Sequence, residues 1–598
     1  MPAVIVRRLR IRNFRGIKSC DWSIDHRLVA LVGAGDSAKT TLLDAMGLVL
    51  SPNYNPQFTD ADFYAFDSSE PITIEAVVTD LPDGLIKESQ LGKDRSGLQP
   101  DGTLVHDPLD GAEECLVVRL TVTADLEPTW EVVRPDSDEA RPISASQRRQ
   151  LGFFRLGERP DFHLRWGRGS ALSGLTEGAG GASSVILDAQ REARRAVFDA
   201  DPNQLHSAAE TAQSSALKLG SAPFTKLRPG LEPGSAASAH ALMLHDGDVP
   251  LSSFGLGTRR LTSLSVQDQA MAGGSIIAID EIEHGLEPHR LAHALRYLKK
   301  RADEHQLQIV LTTHSPITVE TLSAEDLAVV RTDGGITTCL AVPRDLDNVQ
   351  GAFRSAPSAL LGRRVIVGEG ATETGFLRGL IRHWDEERLG SDDPLASAIG
   401  IVVVNGGGGP QPVQRARNFQ SLAYPTLLLM DNDDRAVDAD VAAAIADGVA
   451  VERWTFGRAL EDEIVMTLGS AGLQALIDLA VELRGEESVR AMVAARLGDK
   501  ALTGTELTQW QAEAAVEDAS LREAIAAAAK GKSGKDNAWF KREDAGEALA
   551  AVVVTHLSGL DGTELLNVLE RTREFAYYQD PVAEVPEAVD PEPKAPTG

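Results

Sequence analysis

Residues 28–40 read LVALVGAGDSAKT: five apolar positions, Leu28 to Val32, run into the turn Gly33-Ala34-Gly35-Asp36-Ser37-Ala38, which Lys39 and Thr40 close. Helical spacing follows from about Thr40 to Leu50, so the segment predicts a buried strand, a tight turn and a helix. In that order, successive backbone N–H groups and the helix N-terminus surround phosphate oxygens. Lys39 adds positive charge at the β- and γ-phosphates, and the Thr40 hydroxyl ligates magnesium. The expected ligand is ATP, held by Gly33, Gly35, Asp36, Ser37, Ala38, Lys39 and Thr40. Ala38 stands where a glycine usually precedes the lysine, a residue that eases close backbone approach.

Three downstream segments extend this reading. Ile276 to Ile279 is an apolar strand ending in Asp280 and Glu281. Asp280 can hold the magnesium shell, and Glu281 can polarise the attacking water. Residues 252–260, SSFGLGTRR, resemble the signature motif of ABC ATPases, with Ser253 and Gly255 at a helix start and Arg259 or Arg260 adding positive charge. His314, in TTHSP at 312–316, follows another apolar strand, where a switch histidine senses the γ-phosphate.

A second set of motifs begins at Arg363. The strand Val365-Ile366-Val367 leads into Gly368-Glu369-Gly370-Ala371-Thr372-Glu373, and a helix begins at once. Glu369 and Glu373 are four apart, a spacing that puts two carboxylates on one helical face. Leu427 to Met430 ends in Asp431-Asn432-Asp433-Asp434; strand alternation predicts that Asp431 and Asp433 share a direction and that Asn432 points away. Glu461, in LEDEI at 460–464, is a third acidic position. Carboxylates gathered this way hold magnesium or manganese, and two such ions activate water and stabilise the leaving oxygen in phosphodiester cleavage. Residues 530–541, KGKSGKDNAWFK, supply cations for DNA phosphates through Lys530, Lys532 and Lys535.

The whole is expected to be α/β, with an ATPase domain over 1–350 and a second, Rossmann-like domain over 360–578. Residues of about 145–245 turn to Ala, Ser, Gln and Arg and predict a helical insert; residues 471–530 predict a helical insertion in the second domain. The Pro- and acid-rich tail 579–598 predicts disorder.

With 43% apolar and 25% charged residues the chain has a globular balance. No apolar run approaches the roughly 20 residues of a membrane span, and the protein is read as cytoplasmic. Cys20, Cys115 and Cys339 are far apart and form no CxxC pair, which leaves a zinc ribbon or disulfide framework without support. A net charge of -29 argues against coating nucleic acid by bulk electrostatics, yet leaves room for a DNA enzyme with a local basic track and metal ions.

Together these segments resemble the OLD (overcoming lysogenisation defect) family of nucleases, which fuse an ABC-type ATPase to a Toprim domain and include the nuclease subunit of Gabija anti-phage systems. The resemblance spans roughly 1 to 575. It implies Glu369 as a general acid/base or metal ligand, Glu373 as a second acid, and Asp431 and Asp433 as the DxD pair. Glu461 matches the later acidic group, and the late lysine near the cleavage site is Lys541, with Lys535 as the alternative. It also implies a homodimer or larger assembly, with 145–245 as the dimerisation insert, and a role in phage defence or DNA repair, beside a helicase-like partner where one is encoded. The competing reading is a non-nucleolytic DNA-binding ATPase clamp of the RecF/SMC type.

Overall fold

The computed structural model describes residues 4–578 apart from 53–55, 88, 109–110, 138, 157–159, 167–169, 176–203, 222–223, 232–241, 271–275, 306, 343–348 and 532–537. Lys532, Lys535, the tail 579–598 and much of the expected dimerisation insert thus lie outside the described residues. The chain divides into two compact units, Met1–Gly362 and Arg363–Gly598.

The first unit is organised by one sheet whose two halves differ in sequence character. Its antiparallel half contains β1 (Ile5–Phe14), β2 (Ile17–Ser23), β4 (Ile72–Thr79), β5 (Ser96–Leu98), β6 (Leu104–Val105), β7 (Glu113–Val122), β8 (Pro128–Val133) and β9 (Ala140–Pro142). Arg8, Arg10, Arg12 and Asn13 are interleaved there with buried Leu9, Ile11 and Phe14, as a sheet with one covered face requires. The parallel half, in spatial order, is β10 (Phe153–Leu156), β14 (Ile276–Ile279), β15 (Gln308–Thr312), β3 (Leu28–Val32) and β16 (Leu327–Asp333). Every residue of β3, β14 and β15 is buried, the continuous apolar pattern of strands covered on both faces. β17 (Ile336–Ala341) joins the halves, antiparallel to β16 and parallel to β2.

The stretch expected as a helical insert is mixed among its described residues. It contains the helix Gln204–Lys218, but also β10, β11 (Leu227–Leu231) and β12 (Leu242–Asp246); β12 also pairs with β13 (Val249–Pro250). β10 lies beside β14 in the main sheet. Its four residues, FFRL, are too few to show a period that separates strand from helix.

The second unit holds a four-stranded parallel sheet in the order β19 (Ile401–Asn405), β18 (Arg364–Gly368), β20 (Thr426–Met430), β21 (Ala450–Arg453). The order reverses between β18 and β20, whose ends lie side by side at the carboxyl edge, where ligands of open α/β sheets collect. The helix Ala371–Leu389 crosses the helix Glu543–Thr555 closely: a Cβ on Gly375 would strike the Glu543 carbonyl, and one on Gly546 the Thr372 carbonyl. Four further helices, Ser470–Arg484, Glu486–Arg496, Leu507–Ala514 and Asp518–Lys530, fill the stretch expected as a helical insertion. Among the described residues no helix is long and apolar enough to cross a membrane.

Candidate functional sites

In the first unit β3 feeds the turn into the helix Lys39–Leu50. Lys39 is buried and bent back on the loop, donating to Gly33 O at 3.1 Å, Ala34 O at 2.7 Å and Ser37 Oγ at 3.1 Å. Burial lowers its pKa to about 8, against the pull of Asp36, Glu283 and Asp280. Thr332 Oγ1 fastens the turn from β16 by donating to Ser37 O at 3.1 Å. Gly33 has φ 145, and a Cβ there would meet the Val330 carbonyl at 2.5 Å, so this position needs glycine.

Strand order places Asp280, at the end of β14, against this loop. Its Oδ1 accepts from Thr312 Oγ1 at 2.6 Å and Thr40 Oγ1 at 3.1 Å, bringing together the two groups read as the magnesium shell. Glu281 has φ 45, which turns its half-exposed carboxylate away from the strand line and to 3.7 Å from His284. Two residues, Arg155 and Glu283, escaped the sequence reading. Arg155 of β10 pairs with Asp44 and lies 3.4 Å from Asp280 Oδ2. Glu283 accepts from Thr313 Oγ1 at 2.8 Å and His314 N at 2.6 Å, fixing the backbone of the exposed His314. Arg260, buried, donates to the carbonyls of Asp280 and Glu281 at 2.5 and 2.7 Å. It ties the helix Leu256–Ala270, preceded by Ser253 and Gly255, to the end of β14. Arg259 is spent on Asp161 at 2.6 Å.

In the second unit the acidic residues arrive from four places. Glu369 follows β18; Glu373 is the third residue of the helix capped by Gly370; Asp431 follows β20; Glu461 opens the helix Leu460–Thr467. Backbone donors fix three of them: Glu369 Oε2 accepts from Asp431 N, Glu373 Oε2 from Gly370 N, each at 2.8 Å, and Asp431 Oδ1 from Leu460 N at 2.9 Å. Glu373 and Glu461 are buried.

Burial raises the pKa of all four, and their mutual repulsion adds to it. Glu373 is pushed up by desolvation and then by Glu461, and Asp431 by desolvation and then by Glu373 and Glu369. Desolvation and Asp431 push Glu461 up to about 7, while the Lys541 charge pulls it back. Glu369 is raised by burial and by Asp433, against the hydrogen bond from Asp431 N. Among the described residues no three such side chains already converge at ligand distance of one point. The donor set is nonetheless hard oxygen throughout, with one oxygen each of Glu369, Glu373 and Asp431 outside those hydrogen bonds, and it fits magnesium or manganese.

The local geometry differs from the expected one. β18 ends at Gly368, so Glu369 precedes the helix that carries Glu373; their proximity comes from the turn at Gly370. β20 ends at Met430, and strand alternation does not run through Asp431 to Asp433. Asp433 is exposed and paired with Lys530, which also lies 3.5 Å from Asp462. Lys530, expected on DNA phosphate, is thus held by carboxylates. Lys541 is exposed at the end of the buried Trp539-Phe540 pair, which Thr372 Oγ1 secures by donating to Phe540 O at 3.1 Å.

Residues 28–320, from β3 past His314, match the family model described as AAA domain, putative AbiEii toxin, Type IV TA system. An OLD nuclease of Thermus scotoductus (strain ATCC 700910 / SA-01) is 25% identical over 475 residues, covering 73% of this chain and 83% of the relative. Among solved structures, the SMC head domain from Thermotoga maritima is 15% identical, covering 56% of this chain and 99% of that one, with a TM-score of 0.30. The Smc head domain with an extended coiled coil bound to the C-terminal domain of ScpA, derived from Pyrococcus furiosus, is 12% identical, covering 56% and 96%, with a TM-score of 0.38.

Proposed function

We propose, from the chain's resemblance to OLD-family nucleases and its AAA-type ATPase domain, that it is an ATP-hydrolysing, divalent-metal-dependent DNA endonuclease. The second unit is then a Toprim nuclease domain. The observation that carries this reading is the placement of Glu369, Glu373, Asp431 and Glu461 near one another at the carboxyl edge of a parallel sheet, all with raised pKa values. Packing carboxylates together opposes folding unless a cation or protons neutralise them, so the arrangement has the character of a cation seat.

Magnesium or manganese bound there would activate water and stabilise the leaving oxygen of a phosphodiester. The chain's own part is to hold those acids by backbone N–H groups and to present Lys541 at their margin. An ammonium in that place attracts the scissile phosphate and stabilises charge as the bond breaks. In the first unit, Lys39 exchanges loop carbonyls for phosphate oxygens, Thr40 and Asp280 bind the nucleotide's magnesium, and Glu281 orients water. Ser253, Gly255 and His314 complete the nucleotide contacts in an assembled dimer or larger oligomer. Phage defence or DNA repair, with or without a helicase-like partner, is the setting.

The test is incubation of wild type and Asp431→Ala/Asp433→Ala with supercoiled plasmid and magnesium or manganese, with and without ATP. Nicked or linear product from wild type alone is expected. No product from folded, metal-loaded wild type on several DNA forms would favour the RecF/SMC clamp.

A further inference from the structure

Phe456 is 65% exposed, although it stands beside a site built from buried groups. Scattered surface aromatics are common, so exposure alone says little. What sets this one apart is how firmly it is held. Thr455 to Arg458 form a turn closed by Arg458 N donating to Thr455 O at 3.0 Å, with Gly457 at φ 83. Asn432 clamps the turn three times: its N–H donates to Arg458 O at 2.9 Å, its Nδ2 to Trp454 O at 2.8 Å, and its carbonyl accepts from Gly457 N at 2.8 Å. Trp454 behind it is buried edge-on against Phe376. The residue between Asp431 and Asp433 therefore fixes an aromatic ring to the carboxylate site.

The Arg435 guanidinium lies 4.9 Å from the centre of that ring, and no carboxylate among the described residues is within ion-pair distance of it. We propose that Phe456, with Arg435 against it, is a stacking platform for an unpaired nucleobase of the DNA strand entering the carboxylate site. This rests on the nuclease reading above.

Charge favours a base over a phosphate at this place. Asp434 and Asp440 are exposed beside Arg435 in sequence, in a chain of net charge -29, and they repel the sugar-phosphate backbone, whereas Asp433 and Asp438 are paired with Lys530 and Arg453. Stacking on an aromatic face depends little on base identity. Because the turn is already ordered, the ring loses little freedom on binding. A paired base keeps its faces inside the duplex, so the platform favours single-stranded, frayed or gapped DNA over intact duplex.

The experiment uses the full chain with calcium in place of magnesium, and fluorescence anisotropy of a labelled oligodeoxythymidylate and of a blunt duplex. Wild type, Phe456→Ala, Phe456→Trp and Arg435→Ala are compared, each with its melting temperature. Phe456→Ala is expected to weaken single-strand binding by about tenfold, the low end of what one stacked base contributes, with little change on duplex. Phe456→Trp should retain binding, and Arg435→Ala should fall between. A 2-aminopurine in the strand should be quenched by wild type and less by Phe456→Ala. Unchanged affinity in Phe456→Ala, equal losses on both DNA forms, or a lowered melting temperature would overturn the platform. Failure of wild type to bind any DNA would instead overturn the nuclease reading and the platform with it.

Discussion

The carboxyl ends of β14 and β20 both carry an aspartate beside a helix start, yet the chain treats the two differently. Asp280 is surrounded by neutral and cationic partners: Thr312, Thr40 and, at 3.4 Å, Arg155. Asp431 faces other carboxylates, and its pKa is raised by burial and by Glu373 and Glu369. The difference teaches where each site keeps its binding energy. At Asp280 the acid is already satisfied, and nucleotide binding exchanges one set of partners for another. At Asp431 the acids repel each other, and on the proposed reading a cation would relieve the repulsion.

The largest expected effects test whether the two edges are separate machines. Lys39→Ala should lower ATP hydrolysis by on the order of 10²–10³-fold, the scale of losing one preorganised charge contact, while leaving metal-dependent plasmid nicking without ATP in place. Glu373→Gln should do the reverse. Phosphate release and plasmid gels on the same preparations read both, and loss of both activities in either variant would break the separation.

Metal and pH give the next effect. The native carboxylates hold protons at pH values where the unfolded chain has released them, so ν_U − ν_N is negative and stability falls as pH rises. The window runs from the ordinary carboxylate range upward, through about 7 for Glu373 and Glu461, to about 9 for Asp431. On the proposed reading a cation would replace those protons. Manganese should therefore raise the melting temperature more at pH 8 than at pH 5.5, by several degrees at saturation, because a ligand at 100 times its Kd adds about 2.7 kcal/mol. Calorimetry of Glu373→Gln should show a smaller pH slope; an equal manganese shift at both pH values would end this account.

Lys530 sharpens the comparison, because the acidic edge also has a counter-cation, placed on Asp433 and Asp462 at its exposed margin. Both partners are partly solvated, so the pair contributes roughly 0.5–1 kcal/mol. Lys530→Met should tighten manganese binding by about two- to fivefold, as titration calorimetry would show. Weaker binding would mean that Lys530 organises the acids more than it competes for them.

Local order was legible in the sequence, and contacts between distant segments were not. The strand, turn and helix at 28–50 and the acids after β18 and β20 show themselves because each is a short run with its own period. Asn432 was read as pointing away from the acids, and only the turn at 455–458 reveals its clamp. Arg155 and Glu283 come near the nucleotide site through strand order, which no local pattern encodes. The close helix crossing at Gly375 and Gly546, which lies behind Lys541, depends on residues about 170 apart in sequence. The strands of the mixed insert were missed because its Ala, Ser and Gln content suggested helix throughout.

The smallest expected effect lies in the satisfied site, at the residue that departs from the usual loop. Ala38 has φ 67 and ψ 17, left-handed backbone that costs an L residue roughly 1–2 kcal/mol relative to glycine. Its methyl group packs against the core of the first unit, which offsets part of that cost. Lys39 and Thr332 hold the loop on either side, so glycine at 38 has little room to exploit its extra freedom in the folded state. Glycine does gain freedom in the unfolded chain, which works against the relief of strain. The net expectation for Ala38→Gly is a gain of about 0.5 kcal/mol, with Ala38→Val losing more than 1 kcal/mol because a β-branched residue tolerates this conformation poorly. Denaturant melts of the three proteins decide it: a loss in Ala38→Gly would show that the packing of the partly buried methyl outweighs the backbone strain, and that alanine is the better residue for this loop.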